Sequence, residues 1–245
     1  MDRGRRGGGG GRGGRHRSRR SEQDPDVRLS KALSFALRHG ASQLGLDMSS
    51  DGFVSVAELL SRPQFRAYSL ADVRRVVETN DKQRFRLRPR PGDGRLEIRA
   101  NQGHSVQVDD LELTPVVPGS DNVPSCAVHG TYLRHWESIR SRGLSRMSRT
   151  HIHLSPGLPG EEGVVSGMRG DCSLAIFIDV SGALQDGIPF FWSDNGVILT
   201  PGDAEGRLAP RYFARALRLT EPRRELPLEP RGGVAGEQLT TPTPQ

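Results

Sequence analysis

The chain has 245 residues, 34% of them hydrophobic and only 5% aromatic, with 30 glycines and 17 prolines. Its longest apolar run, LAIFIDV at Leu174 to Val180, falls short of the ~18–20 residues that span a bilayer, so no membrane segment is expected. The net charge of +6 is a property of one end: residues 1–20 carry eight arginines against one aspartate, so the rest of the chain sums to −1.

That tail, MDRGRRGGGGGRGGRHRSRR, has no apolar core, which argues against a secretory signal. It cannot offset its ordering entropy by burial, so residues 1–25 are expected to be disordered. Arginine-glycine runs of this kind bind RNA or other polyanions; the alternatives are a solubilising tail or a nuclear address. Two cysteines, Cys126 and Cys172, make neither a disulfide framework nor a four-cysteine zinc site. The composition points to an intracellular, reducing compartment, cytoplasm or nucleus.

The first ordered segment begins near Pro25. Val27, Leu29, Ala32, Leu33, Ala36 and Leu37 fall roughly at helical spacing, and Gly40 is placed to end the helix, with Arg38 and His39 in its last turn. Two short helices follow, each with a capping box, from Ser55 to Glu58 and from Ser69 to Asp72. After Asn80 the pattern alternates: Phe85 and Leu87 point one way, and Arg84, Arg86 and Arg88 the other. A Gly92-Asp93-Gly94 turn and the pair Leu96 and Ile98 complete a hairpin. Helices followed by a basic hairpin predict a winged-helix-like lobe over residues 26–105.

The acidic, proline-containing stretch 106–124 reads as a linker. Beyond it come strand-like runs at Ala127 to Tyr132, Thr150 to Ser155, Leu174 to Val180, Pro189 to Trp192, Val197 to Thr200 and Tyr212 to Leu217. One helix, Leu133 to Arg142, ends at Gly143. Short strands with few helices predict an α+β lobe with a mixed or antiparallel sheet over residues 125–219. Residues 220–245 are expected to be a second disordered tail. No internal repeat is evident.

The chain lacks GxxxxGK[ST], GxGxxG, GxSxG and CxxC motifs, which weakens nucleotide-kinase and hydrolase readings. What remains is a set of polar residues inside apolar segments. Arg149, His151, His153 and Ser155 would share one face of a strand, with Ile152 and Leu154 opposite. Such a row is costly to bury unsatisfied, so it should line a cleft or hold an anion; the alternative is a solvated face without a role. His129-Gly130-Thr131 ends a strand and leads into a helix, a place where backbone can approach a phosphate, although a structural histidine there is common. A zinc reading through His129, His151 and His153 is disfavoured by Arg149 on the same face. At Arg38, His39 and Arg84, guanidinium groups suit phosphate and a histidine suits proton donation to a leaving oxygen. Surface arginines without a role are the ordinary alternative.

Together these runs resemble the RNA 2'-phosphotransferase family, the NAD-dependent enzymes that remove a splice-junction 2'-phosphate from tRNA. The resemblance is carried by LSKALSFALRHGA, DGFVSVAELL, KQRF, IRANQGHS, HGTY, RTHIHLS, GMR, FFWSDNGVILT and TPG, in order over about residues 27–217. It implies a winged-helix lobe followed by a lobe of ADP-ribosyltransferase fold. It also implies a catalytic set of Arg38, His39, Arg84 and Arg149, drawn from both lobes. His129, Gly130, Thr131, His151, His153 and Ser155 would belong to the NAD pocket, with Arg169 of the GMR run near it. NAD serves as co-substrate, and no metal is expected.

The implied chemistry has two steps. The RNA 2'-phosphate displaces nicotinamide from the ribose carbon of NAD. The neighbouring ribose hydroxyl then attacks phosphorus, releasing 2'-OH RNA and ADP-ribose 1''-2''-cyclic phosphate. His39 would protonate the leaving RNA oxygen while the arginines stabilise the crowded phosphate. A monomer acting on ligated tRNA is expected. The alternatives are an ADP-ribosyltransferase that modifies terminal nucleic-acid phosphates and stops after the first step, and an RNA-binding module without chemistry.

Overall fold

The computed structural model describes residues 24–165 and 167–228. Most of the two tails expected to be disordered, residues 1–23 and 229–245, lies outside the described residues. The chain divides into two compact units, Met1–Leu111 and Glu112–Gln245.

The first unit opens with α1 (Pro25–Phe35), capped by the Asp24 carboxylate, which accepts from the Asp26 N–H at 2.9 Å. Proline at the first helical position costs nothing, because its missing N–H would have been unpaired there. The helix does not stop at Gly40. It widens into a π-helical turn over Ala36–Gly40, and Ala41 is still in the right-handed helical region. Gly40 is not a left-handed cap; a Cβ there would lie 2.5 Å from Cε1 of the half-exposed Phe35, whose ring would have to move aside.

β1 (Val54–Ser55) leads into α2 (Val56–Ser61), and after a 3-10 turn comes α3 (Leu70–Thr79). The predicted capping box is reciprocal at Ser69 and Asp72. At Ser55 only half of it forms: the hydroxyl accepts from Glu58 N–H at 3.4 Å, but the Glu58 carboxylate is engaged by Asp47 N–H and Arg62. β2 (Phe85–Pro89) and β3 (Leu96–Ala100) form the predicted hairpin, paired from Phe85–Ala100 to Pro89–Leu96. The three strands make an antiparallel sheet in the order β1-β3-β2. Its core gathers Leu29, Leu33, Leu37, Leu59, Phe65, Val73 and Ile98, all fully buried.

The second unit begins with β4 (Thr114–Pro115), so part of the stretch read as linker is a strand, with Val116 buried behind it. β5 (Val128–Thr131), α4 (Trp136–Arg142), β6 (Leu144–Ser145), β7 (Ile152–Leu154) and β8 (Leu174–Ile178) follow. Next is a helix not expected from the sequence, which overlaps the expected strand only at Val180: α5 (Val180–Gln185), capped by Asp179, which accepts from Gly182 N–H at 2.9 Å. β9 (Phe191–Trp192), β10 (Ile198–Thr200), β11 (Arg207–Leu208), β12 (Phe213–Arg218) and β13 (Arg224–Leu226) complete the unit. β13 lies within the expected C-terminal tail; it pairs with β12 and brings Leu226 against the core.

Two four-stranded antiparallel sheets, β4-β9-β10-β7 and β13-β12-β8-β5, are joined where Val128 and Ser155 exchange two 2.8 Å backbone hydrogen bonds. The fold is thus α+β with antiparallel sheets and few helices. Among the described residues no helix is long and apolar enough to cross a membrane.

Candidate functional site

Arg38 and His39 lie on the π-helical turn, a local widening often found at functional sites because it re-aims side chains that a regular helix would place elsewhere. They line a cavity of about 710 Å³ in the first unit, together with Arg84, Lys31 and Lys82. Three of the sequence candidates therefore meet in one basic cleft.

A loop after β3 holds the turn from behind. Ser105 N–H donates to the Arg38 carbonyl at 2.9 Å, and the Ser105 hydroxyl lies 2.8 Å from Nδ1 of His39. Gly103, at φ +91°, packs on Arg38: a Cβ there would lie 3.3 Å from the guanidinium Nε. Only glycine takes that backbone conformation without strain.

Arg84 leaves the end of α3 through a tight turn. The Asn80 side-chain oxygen accepts from both the backbone N–H and the guanidinium of Arg84. Burial lowers the Arg84 pKa, while the charge of Asp81 opposes the shift. A cation destabilised by burial is one that a bound anion would relieve.

The second unit holds the other candidates. His129 on β5 places Nδ1 3.0 Å from the His153 carbonyl. A carbonyl can only accept, so Nδ1 carries the proton and Nε2 is left as an acceptor. Burial lowers the His129 pKa, outweighing that bond, and the charge of Arg149 adds to the effect. The ring is neutral near pH 7 as a consequence.

Gly130 and the GMR loop are packed in contact. A Cβ on Gly130 would overlap Cγ of Met168, and one on Gly167, at φ +107°, would lie 2.8 Å from Cα of Ser155. These two glycines let the loop close over the ends of β5 and β7, which brings Arg169 near Arg149. Burial lowers the Arg149 pKa, and repulsion from Arg169 lowers it further. Arg169 is held charged first by a hydrogen bond with the Tyr132 hydroxyl, which in turn donates to Asp171 at 3.0 Å.

The predicted four-residue strand face is not formed as expected. β7 spans only Ile152–Leu154, and Arg149 sits in a preceding bend, its N–H donating to the Arg146 carbonyl at 3.0 Å. Ser155 is fully buried at the sheet junction, so it supports the site and does not line an open face. His151 turns toward Phe191, ring centroids 6.1 Å apart, with Nδ1 2.9 Å from the Thr150 hydroxyl. Burial lowers its pKa, and Arg146 adds to the shift. Thr131 serves the sheet through its carbonyl, which accepts from Ser173 N–H. No group of three or more metal-ligating side chains occurs among the described residues.

Sequence reasoning assigned no role to Ser105, Gly103 or Asn101, although all three lie in the IRANQGHS run it singled out. It also passed over Tyr132 and Asp171, whose polar contacts depend on the folded GMR loop.

The model of the family described as "RNA 2'-phosphotransferase, Tpt1 / KptA family" matches residues 24–202. The chain is 65% identical over 217 residues to tRNA 2'-phosphotransferase 1 of Danio rerio, covering 89% of this chain and 92% of that protein. It is 58% identical over 207 residues to tRNA 2'-phosphotransferase 1 of Homo sapiens, covering 84% of this chain and 81% of that one. To tRNA 2'-phosphotransferase of Saccharomyces cerevisiae it is 40% identical over 182 residues, covering 71% and 78%. The cleft of Arg38, His39 and Arg84 falls inside the matched residues, and the chain belongs to the RNA 2'-phosphotransferase, Tpt1 / KptA family.

Proposed function

We propose that the protein is an NAD-dependent tRNA 2'-phosphotransferase that moves the splice-junction 2'-phosphate of ligated tRNA to NAD, as a monomer inside the cell. Residues 26–105 act as a winged-helix-like lobe that binds the RNA phosphate, and 125–219, extended at its edges by β4 and β13, as a lobe of ADP-ribosyltransferase type that binds NAD. Arg38, His39, Arg84 and Arg149 are the catalytic set.

The observation that carries this reading is the basic cleft of the first unit. An RNA 2'-phosphate is a compact dianion, and the guanidinium charges of Arg38 and Arg84 suit its oxygens. Arg84 in particular gains from a bound anion, since burial already disfavours its charge. His39 in the same cleft is a side chain of the type that can protonate the RNA oxygen that leaves phosphorus. No strong base is needed for the first step, in which the phosphate itself is the nucleophile.

The second unit fits a dinucleotide co-substrate on three grounds. The glycines at 130 and 167 allow backbone to come close to a ligand, Arg169 supplies charge for a pyrophosphate, and the neutral His129 presents Nε2 as an acceptor for a ribose hydroxyl. His151 and His153 complete that pocket, with Ser155 and Thr131 supporting it from the sheet behind. The test is nicotinamide release: incubation with NAD should liberate nicotinamide only when RNA bearing a 2'-phosphate is added. Release that is independent of the 2'-phosphate would overturn the reading.

A further inference from the structure

We infer that Ser105 is a positioning residue for the reaction, acting by fixing the tautomer and the aim of His39. The inference rests on the reading of His39 as the acid of the second step. The observations are two contacts of a single hydroxyl: Ser105 Oγ lies 2.8 Å from His39 Nδ1 and 3.4 Å from the Arg38 carbonyl. The backbone of Ser105 is itself anchored, its N–H donating to that carbonyl at 2.9 Å.

The Arg38 carbonyl can only accept, so the Ser105 O–H donates toward it and the Ser105 oxygen is left as an acceptor. Nδ1–H of His39 then donates to Ser105. The chain from Nδ1–H to Oγ–H to carbonyl stays intact whether the imidazole is charged or neutral, so Nδ1 keeps its proton throughout. Nε2 is therefore the nitrogen that exchanges a proton, giving it to the RNA 2'-oxygen as its bond to phosphorus breaks and the ribose hydroxyl oxygen's bond to phosphorus forms, the hydroxyl's own proton passing to solvent water. This is the service a hydrogen-bonding partner performs for the imidazole of a hydrolase, where loss of the correct tautomer is far more damaging than loss of the bond alone. Here the partner is neutral, so it orients the ring without adding a charge beside the phosphate.

The loop bearing Ser105 is built for that placement. Gly103 packs against the Arg38 guanidinium two residues earlier, so one turn of chain seats both functional side chains. His39 and Ser105 are both exposed, and their mutual bond restrains the ring.

The test is transient kinetics on the full-length protein with NAD and a 2'-phosphorylated RNA, resolving the two steps across pH for the wild type, S105A, S105T and H39A. Ser105→Ala should slow the second step about two- to tenfold, the range of one neutral hydrogen bond, and shift the pH limb of that step while sparing the first. Ser105→Thr keeps the hydroxyl and should restore both rate and limb. If S105A leaves the second step and its pH limb unchanged while H39A impairs that step, the positioning role is overturned and the acid stands. If S105A and S105T are equally impaired, the role is structural and the inference also fails. If H39A leaves the second step intact, it is the underlying reading of His39 that fails.

Discussion

The side-chain amide of Asn101 donates a 2.8 Å hydrogen bond to the carbonyl of Gln83, which sits at φ +43° immediately before Arg84. A non-glycine residue in that region is strained by about 1–2 kcal/mol, and the strain persists because Asn101 and Asn80 hold the turn from either side. Asn101 is buried, and its own N–H donates to the Arg84 carbonyl at 2.9 Å. Asn101→Ala should lower stability by about 1–3 kcal/mol and weaken RNA binding through misplacement of Arg84. Thermal melting and a binding isotherm for 2'-phosphorylated RNA check both; unchanged affinity would show that Arg84 is placed without Asn101.

The two glycines of the second unit should respond differently to a methyl group. At Gly130 the three atoms nearest the added Cβ all belong to the Met168 side chain, whereas at Gly167 the nearest is Ser155 backbone at positive φ. Gly130→Ala should cost about 1–3 kcal/mol by overpacking, and a second substitution, Met168→Ala, should recover part of the loss. Gly167→Ala should not be recovered by any side-chain change at 168. A double-mutant cycle read by melting temperature distinguishes the two cases.

Arg84→Ala and Arg149→Ala should slow the second step more than the first. Charge accumulates on phosphorus in the second, whereas the first develops positive charge on a ribose and gains less from a guanidinium. The expected sign is build-up of ADP-ribosylated RNA, seen as a slower-migrating band in a gel time course. A slow mutant with no such band would contradict the assignment.

His129 gives a prediction about pH. Its folded pKa lies below the ordinary value near 6.5, so the unfolded chain binds the proton more readily. Stability is then full above about pH 6.5 and falls as pH drops through that value toward the lower folded pKa. His129→Gln keeps an N–H for the His153 carbonyl but cannot titrate. Melting temperatures from pH 7.5 to 5 should decline less steeply for the variant than for the wild type; parallel curves would exclude the linkage.

What the sequence could show depended on how local each feature is. Helix α1, the Ser69–Asp72 cap and the β2–β3 hairpin follow from periodicity and short-range hydrogen bonding, and all are present. Gly40 does not end the helix as glycine after a helix ordinarily would, because a π-helical turn runs through it and Ala41 stays right-handed. α5 was missed because VSGALQ is six residues long, contains glycine and continues an apolar strand; Asp179 ahead of it was the available signal. The Arg149 to Ser155 row failed because strand alternation was extended across a bend. Arg38, His39 and Arg84 line one cleft, but only the resemblance grouped them, since nothing in their spacing relates a helix end to a hairpin. Ser105 is invisible to spacing for the same reason: it lies 66 residues from the histidine it touches.

The most direct measurement uses a short RNA with one internal 2'-phosphate, incubated with the full-length protein in the presence and absence of NAD. The phosphate should be lost only when NAD is present, leaving a 2'-OH RNA and ADP-ribose 1''-2''-cyclic phosphate as products. Retention of the phosphate with NAD present, despite tight RNA binding, would contradict the proposed transfer and leave a binding module in its place.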